Sequence, residues 1–132
     1  MAQFLRKISG GKMKSFDAAT GSAGDIAETS FSAANNQATP VDVTGLLFAN
    51  ASVSSAKIFL SVDIQATADL YEMFELKAVQ KNSGWDLSVQ SVGDSTNVVF
   101  SITSSGQIQY TSASEAGFSS STFRFRAITT SK

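Results

Sequence analysis

Beyond residue 28, apolar and polar residues alternate with a period of two, the spacing that sends successive side chains to opposite faces of a β-strand. In KIFLSVDIQA, Ile58, Leu60, Val62, Ile64 and Ala66 share one face, with Phe59, Ser61, Asp63 and Gln65 opposite. FELKAVQKNSGWDLSVQSVG predicts a hairpin turning at Asn82-Ser83-Gly84, where glycine supplies the positive φ such turns need. In its second arm Trp85, Leu87 and Val89 share a face. VVFSITSSGQIQYTS predicts another hairpin, turning at Ser104-Ser105-Gly106, with Val98, Phe100, Ile102, Ile108 and Tyr110 inward. VDVTGLLF, after the only proline at position 40, is a further strand. FRFRAITT closes the chain with Phe123, Phe125 and Ala127 inward and Arg124 and Arg126 outward. Asp69-Leu70-Tyr71-Glu72 has the pattern of a helix-opening capping box, but its strand-forming neighbours allow a short helical turn at most. Short strands, turn signals between them and no long helix predict an all-β fold, an antiparallel β-sandwich or jelly roll.

The first 28 residues break this pattern. Arg6, Lys7, Lys12 and Lys14 precede any acid, and Gly10, Gly11, Gly21 and Gly24 interrupt periodicity. Such a leader buries little surface alone. Phe4, Leu5, Ile8, Met13 and Phe16 nevertheless make it greasier than a solvated tail. The expected organisation is an extended N-terminal arm over 1–28 that docks on a partner, and a sandwich domain over 29–132. At 132 residues the chain holds one core and not two.

Composition narrows the function. Hydrophobic residues are 42% of the chain and charged ones only 16%, ten of the thirteen aromatics are Phe, and Ser plus Thr supply about a quarter. A net charge of −1 gives no general attraction to nucleic acid or anionic membrane. With neither Cys nor His, disulfides, thiol nucleophiles and imidazole chemistry are excluded, and assembly in a reducing cytoplasm is favoured. No apolar run approaches the roughly 20 residues of a membrane span, and Arg6-Lys7 stop any signal-peptide core after Phe4-Leu5.

No active site emerges. Asp63, Asp69, Glu72 and Glu75 lie close in sequence but read as solvated acids rather than a catalytic pair. The tetrads Ser9-Gly10-Gly11-Lys12 and Ser54-Ser55-Ala56-Lys57 lack the helix that would bring Ser and Lys together. Gly10-Gly11-Lys12 is followed by Met13 where a phosphate loop needs Ser or Thr. Neither a metal nor a cofactor is expected. Tyr71, Trp85 and Tyr110 are the residue types that stack on sugars, although Trp85 and Tyr110 fall on apolar parities that favour burial. Arg124 and Arg126 suit either ion pairs with another subunit or the solubilising of a sheet edge. The polar face of the second hairpin, Ser101, Thr103, Gln107 and Gln109, carries no charge at all. Uncharged hydroxyls and amides cross a subunit contact without the cost of buried charge, so these four, with Arg124 and Arg126, are the expected subunit interface.

VDVTGLLFANASVSSAKIFLSVDIQATADLYEMFELKAVQKNSGWDLSVQSVGDS, then VVFSITSSGQIQYTSASEAGF and FRFRAITT, resembles a small β-sandwich protein of tailed-bacteriophage virions. The resemblance spans residues 41–130; the stretch from Leu70-Tyr71-Glu72 to Trp85, and GQIQYTS with Phe118 downstream, are its most distinctive parts. It implies a structural role as a capsid decoration (cement) protein or a head- or tail-fibre module, commonly a homotrimer, with the major capsid protein or another virion protein as partner. Decoration is the expectation, because the chain reads as complete from Met1, its leader suits a capsid lattice, and it has no shaft repeats. The expected location is the capsid surface, through the arm residues Phe4, Leu5, Arg6, Lys7, Ile8, Lys12, Met13, Lys14 and Phe16. A head- or tail-fibre module binding a host-surface glycan or receptor is the rival, and an enzyme the distant third.

Overall fold

The computed structural model describes residues 22–132 and contains eight strands: β1 (Ile26–Ser32), β2 (Val41–Leu47), β3 (Val53–Gln65), β4 (Leu70–Lys81), β5 (Gly84–Gly93), β6 (Val99–Ile102), β7 (Gln107–Thr111) and β8 (Ser120–Ser131). They form two antiparallel sheets packed face to face, a β-sandwich as the alternation predicts. The larger sheet has the order β1-β8-β3-β4-β5 and the smaller β2-β7-β6. β1 and β2 lie at neighbouring edges on one side, β5 and β6 on the other.

Between the sheets, every second residue of the long central strands is buried. Ile58, Leu60, Val62 and Ile64 of β3 meet Phe74, Leu76 and Ala78 of β4 and Phe123, Phe125 and Ala127 of β8. Val43, Leu46, Phe48, Val98, Phe100, Ile108 and Tyr110 close the core from the smaller sheet's side. Aromatic edges lock the layers together. Phe100 sits edge-on to Phe74 at 4.9 Å and to Phe123 at 5.6 Å, and Tyr110 edge-on to Phe123 at 5.1 Å. Such pairs contribute about 0.5–1.5 kcal/mol beyond the area they bury. Both hairpins turn where glycine demands: Lys81 pairs with Gly84 (φ 124°), and Gly106 (φ 85°) closes the β6–β7 turn through its N–H to the Thr103 carbonyl.

Three sequence expectations are corrected. The sheet reaches back past residue 29, because β1 begins at Ile26 and pairs with Ala127. Asp25 is tied in too: its carboxylate accepts from the Thr129 N–H at 2.7 Å and hydroxyl at 2.8 Å. The helical turn at 69–72 does not form. β4 starts at Leu70, and both acids are used elsewhere: Asp69 accepts from the Ala66 N–H, and Glu72 from the N–H and hydroxyl of Thr96. Finally, β8 is no edge. It runs between β1 and β3, so Arg124 and Arg126 are not edge guards.

Candidate functional site

The charge-free face of the β6–β7 hairpin does point outward, but its polar groups are largely used at home. β2 carries a bulge between Asp42 and Leu47, with Gly45 at φ 94°, and the bulge frees carbonyls from the ladder. The Gln107 side-chain amide fills that gap, with Nε2 3.1 Å from both the Val43 and Leu46 carbonyls and 2.8 Å from that of Ile108. Gln109 donates to Asp42 at 2.8 Å across the β2–β7 pair. Thr103 shares a hydrogen bond with Ser105 and accepts from the Gln107 N–H. Ser101 is exposed. At Gln107 the uncharged amide is explained by the need to satisfy a bulged β2, a requirement invisible along one strand's alternation. Arg124 and Arg126 lie on the outer face of the other sheet, so the six residues do not form one patch.

The remaining candidates disperse similarly. Trp85 is buried against Phe48 and donates its indole N–H to Asn50 at 2.8 Å; the Tyr110 hydroxyl accepts from the Ala34 N–H at 2.9 Å. Only Tyr71 of the three sugar-stacking types is exposed. Glu75 pairs with Lys57 at 2.9 Å, and that hydrogen-bonded ammonium holds its carboxyl below the ordinary range despite the opposing effect of partial burial. Asp63 accepts from Gln65 at 2.6 Å. Ser54 and Lys57 are three residues apart on extended β3, where no helical turn brings them together. Among the described residues no cluster of three acidic ligands could hold a metal ion. The phosphate-loop fragment, the first Ser-x-x-Lys tetrad, and Phe4, Leu5, Arg6, Lys7, Ile8, Lys12, Met13, Lys14 and Phe16 all lie outside the described residues.

Large apolar side chains are instead exposed on the outer face of the five-stranded sheet. Met73 and Val92 are direct cross-strand partners on β4 and β5, Tyr71 stands beside them on β4, and Phe59 lies half-buried on β3 between Glu75 and Arg126. A shallow groove runs from Glu28 past Phe59 and Met73 to Arg124 and Arg126. Alternation could have located this face: Tyr71 and Met73 share the parity opposite to Phe74 and Leu76. A helical reading of DLYEMFEL hides that signal.

The class the geometry defines is an antiparallel β-sandwich, and among the described residues its exposed features are surfaces rather than a cleft with convergent catalytic groups. No protein-family model matches the chain, and neither does any curated protein sequence. Among solved structures, the tailspike protein of Acinetobacter phage vB_ApiP_P1 is similar over 83% of this chain, at 13% identity and a TM-score of 0.44. The chain matches only 20% of the length of that tailspike.

Proposed function

We propose that this protein is a structural, non-enzymatic component of a tailed-bacteriophage virion, of the capsid decoration type, held to the particle by its N-terminal segment. The sequence resemblance over residues 41–130 supports the virion role. The observation from the fold that carries the reading is the commitment of the acids Asp63, Asp69, Glu72 and Glu75 to in-chain hydrogen bonds or an ion pair, while Met73, Tyr71 and Val92 stay exposed on a broad sheet face. Among the described residues this leaves surface for assembly and no convergent set of catalytic groups, which supports a structural role. Attachment falls to the basic and apolar residues before Ser22, with the apolar ones contributing more: a buried Phe or Leu is worth about 1.5–3 kcal/mol and an exposed ion pair about 0–1.

Quantitative mass analysis of purified virions tests the role. Hundreds of copies per particle are expected of a decoration protein. A handful would assign the chain to a fibre or tail part, and absence would refute the virion reading. Capsid binding tests the attachment. A variant lacking residues 1–21 is expected to lose binding to undecorated capsids, as is one with Phe4, Leu5 and Phe16 changed to Ser. Changing Arg6, Lys7, Lys12 and Lys14 to Gln is expected to leave most of it. Full binding by the truncated chain would move attachment onto the sandwich.

A further inference from the structure

The two sides of the sandwich are guarded unequally. On one side, β1 slips register between Ile26 and Thr29 and exposes Glu28, while β2 is bulged, follows Pro40 and exposes Asp42. Bulges, proline and charge are the devices that stop an edge strand from pairing with another chain. On the other side bulge and proline are missing, and the one charge of β5, Asp86, lies in its proximal half and pairs with Lys81 at 3.0 Å. β5 pairs with β4 through ten consecutive residue pairs, Glu72↔Gly93 to Lys81↔Gly84, without a register shift. Its distal half, Ser88–Gly93, is exposed at every residue and contains no charge and no proline. Among the described residues nothing pairs with its outer side. An edge strand directs alternate N–H and C=O groups away from its single neighbour, so this half presents a straight row of free backbone donors and acceptors. Val92, 69% exposed, and Val89 flank the row on the two faces, and Val99 of the adjacent uncharged edge β6 is 61% exposed.

We propose that β5 is a self-association edge: two copies pair antiparallel through Ser88–Gly93 about a two-fold axis, joining their five-stranded sheets into one. The partner is a second copy because the segment has no charge to repel itself, and because an antiparallel pair of identical strands keeps both core faces on the same side. The guarded β1 and β2 edges supply no complementary strand for head-to-tail growth. A two-fold contact closes on itself, so the open edge yields a dimer and not a fibril. The pairing covers Val89 and Val92 and sets the Met73–Val92 pairs of two copies on one continuous outer face. It departs from the threefold state implied by the family resemblance and is independent of the virion role.

Light scattering on the eluting full-length protein, at about 10–100 µM, is expected to give a dimer. Val89→Lys with Val92→Lys is expected to weaken association at least about tenfold while circular dichroism stays β-type. Should that variant fail to fold, the cysteine-free chain offers a second route. Single cysteines placed in turn at Ser88, Val89, Gln90, Ser91 and Val92 are expected to form an intermolecular disulfide at the position nearest the axis, while Ser30→Cys on β1 forms none. A monomeric or trimeric wild type, a dimer untouched by the two lysines, or no disulfide across Ser88–Val92 would each overturn the proposal.

Discussion

Phe100, Phe123 and Phe125 show how single side chains join the two layers, and Gln107 how one side chain holds neighbouring strands of a single sheet. Phe100→Ala and Phe125→Ala are each expected to lower unfolding free energy by about 3–5 kcal/mol, the usual cost of truncating a buried Phe, measured by denaturant titration. Both are nearly inaccessible, and Phe100 also touches Phe74 and Phe123 across the core. Gln107 works through hydrogen bonds rather than volume. Its amide has two hydrogens for three carbonyls, so Gln107→Ala leaves acceptors in the β2 bulge unmatched, at about 1–3 kcal/mol. Gln107→Glu is expected to be worse than Ala above about pH 5, where a carboxylate faces those carbonyls, and to recover toward pH 3 as it protonates. Stability curves of the two variants across that range check the sign.

At the scale of elements, the turns decide register. Gly106 sits at φ 85°, and a Cβ there would lie 2.0 Å from the Phe48 carbonyl oxygen, which is backbone and cannot step aside. Gly106→Ala is therefore expected to cost at least about 1–3 kcal/mol for the left-handed backbone alone, and to perturb the Phe48 N–H bond to the Gly106 carbonyl. Its thermal midpoint should fall further than that of Ser105→Ala, an exposed neighbour. The β3–β4 pair also carries an ion pair, Lys57–Glu75. Because Lys57 lowers the Glu75 carboxyl in the folded state, the pair stabilises above the ordinary carboxylate pKa and loses that contribution as pH falls through the depressed folded value. The stability difference between wild type and Glu75→Gln should accordingly vanish in acid, and persistence at pH 2 would contradict it.

For the molecule as a whole, the boundary of the sandwich sets where it can be cut. Removing residues 1–21 leaves β1, the Asp25–Thr129 bonds and the core contact of Ile26 in place. Removing residues 1–28 takes the first turn of pairing with it. The shorter truncation is expected to unfold at nearly the wild-type temperature, and the longer one several degrees lower, by differential scanning calorimetry. Equal midpoints for the two would show that the start of β1 adds nothing to the sheet.

The sandwich itself was written in the alternation: a period of two from Lys57 to Ala66 and from Phe123 to Ala127 can bury a row of apolar side chains only as strands. Glycines in the two turns marked the hairpins for the same local reason. Sequence spacing could not supply the partners. Whether β8 is an edge or lies between β1 and β3 depends on pairing with residues almost the whole chain away, and that pairing turned Arg124 and Arg126 from edge guards into features of a sheet face. Gln107 was legible as an outward polar residue, but its task exists only because a bulge 61 to 64 residues earlier leaves carbonyls within reach. Likewise, Ser88–Gly93 is an ordinary uncharged strand segment until topology leaves it with a neighbour on one side only. Local alternation determines which face a side chain takes; the tertiary pairing of distant strands decides what that face, or that edge, meets.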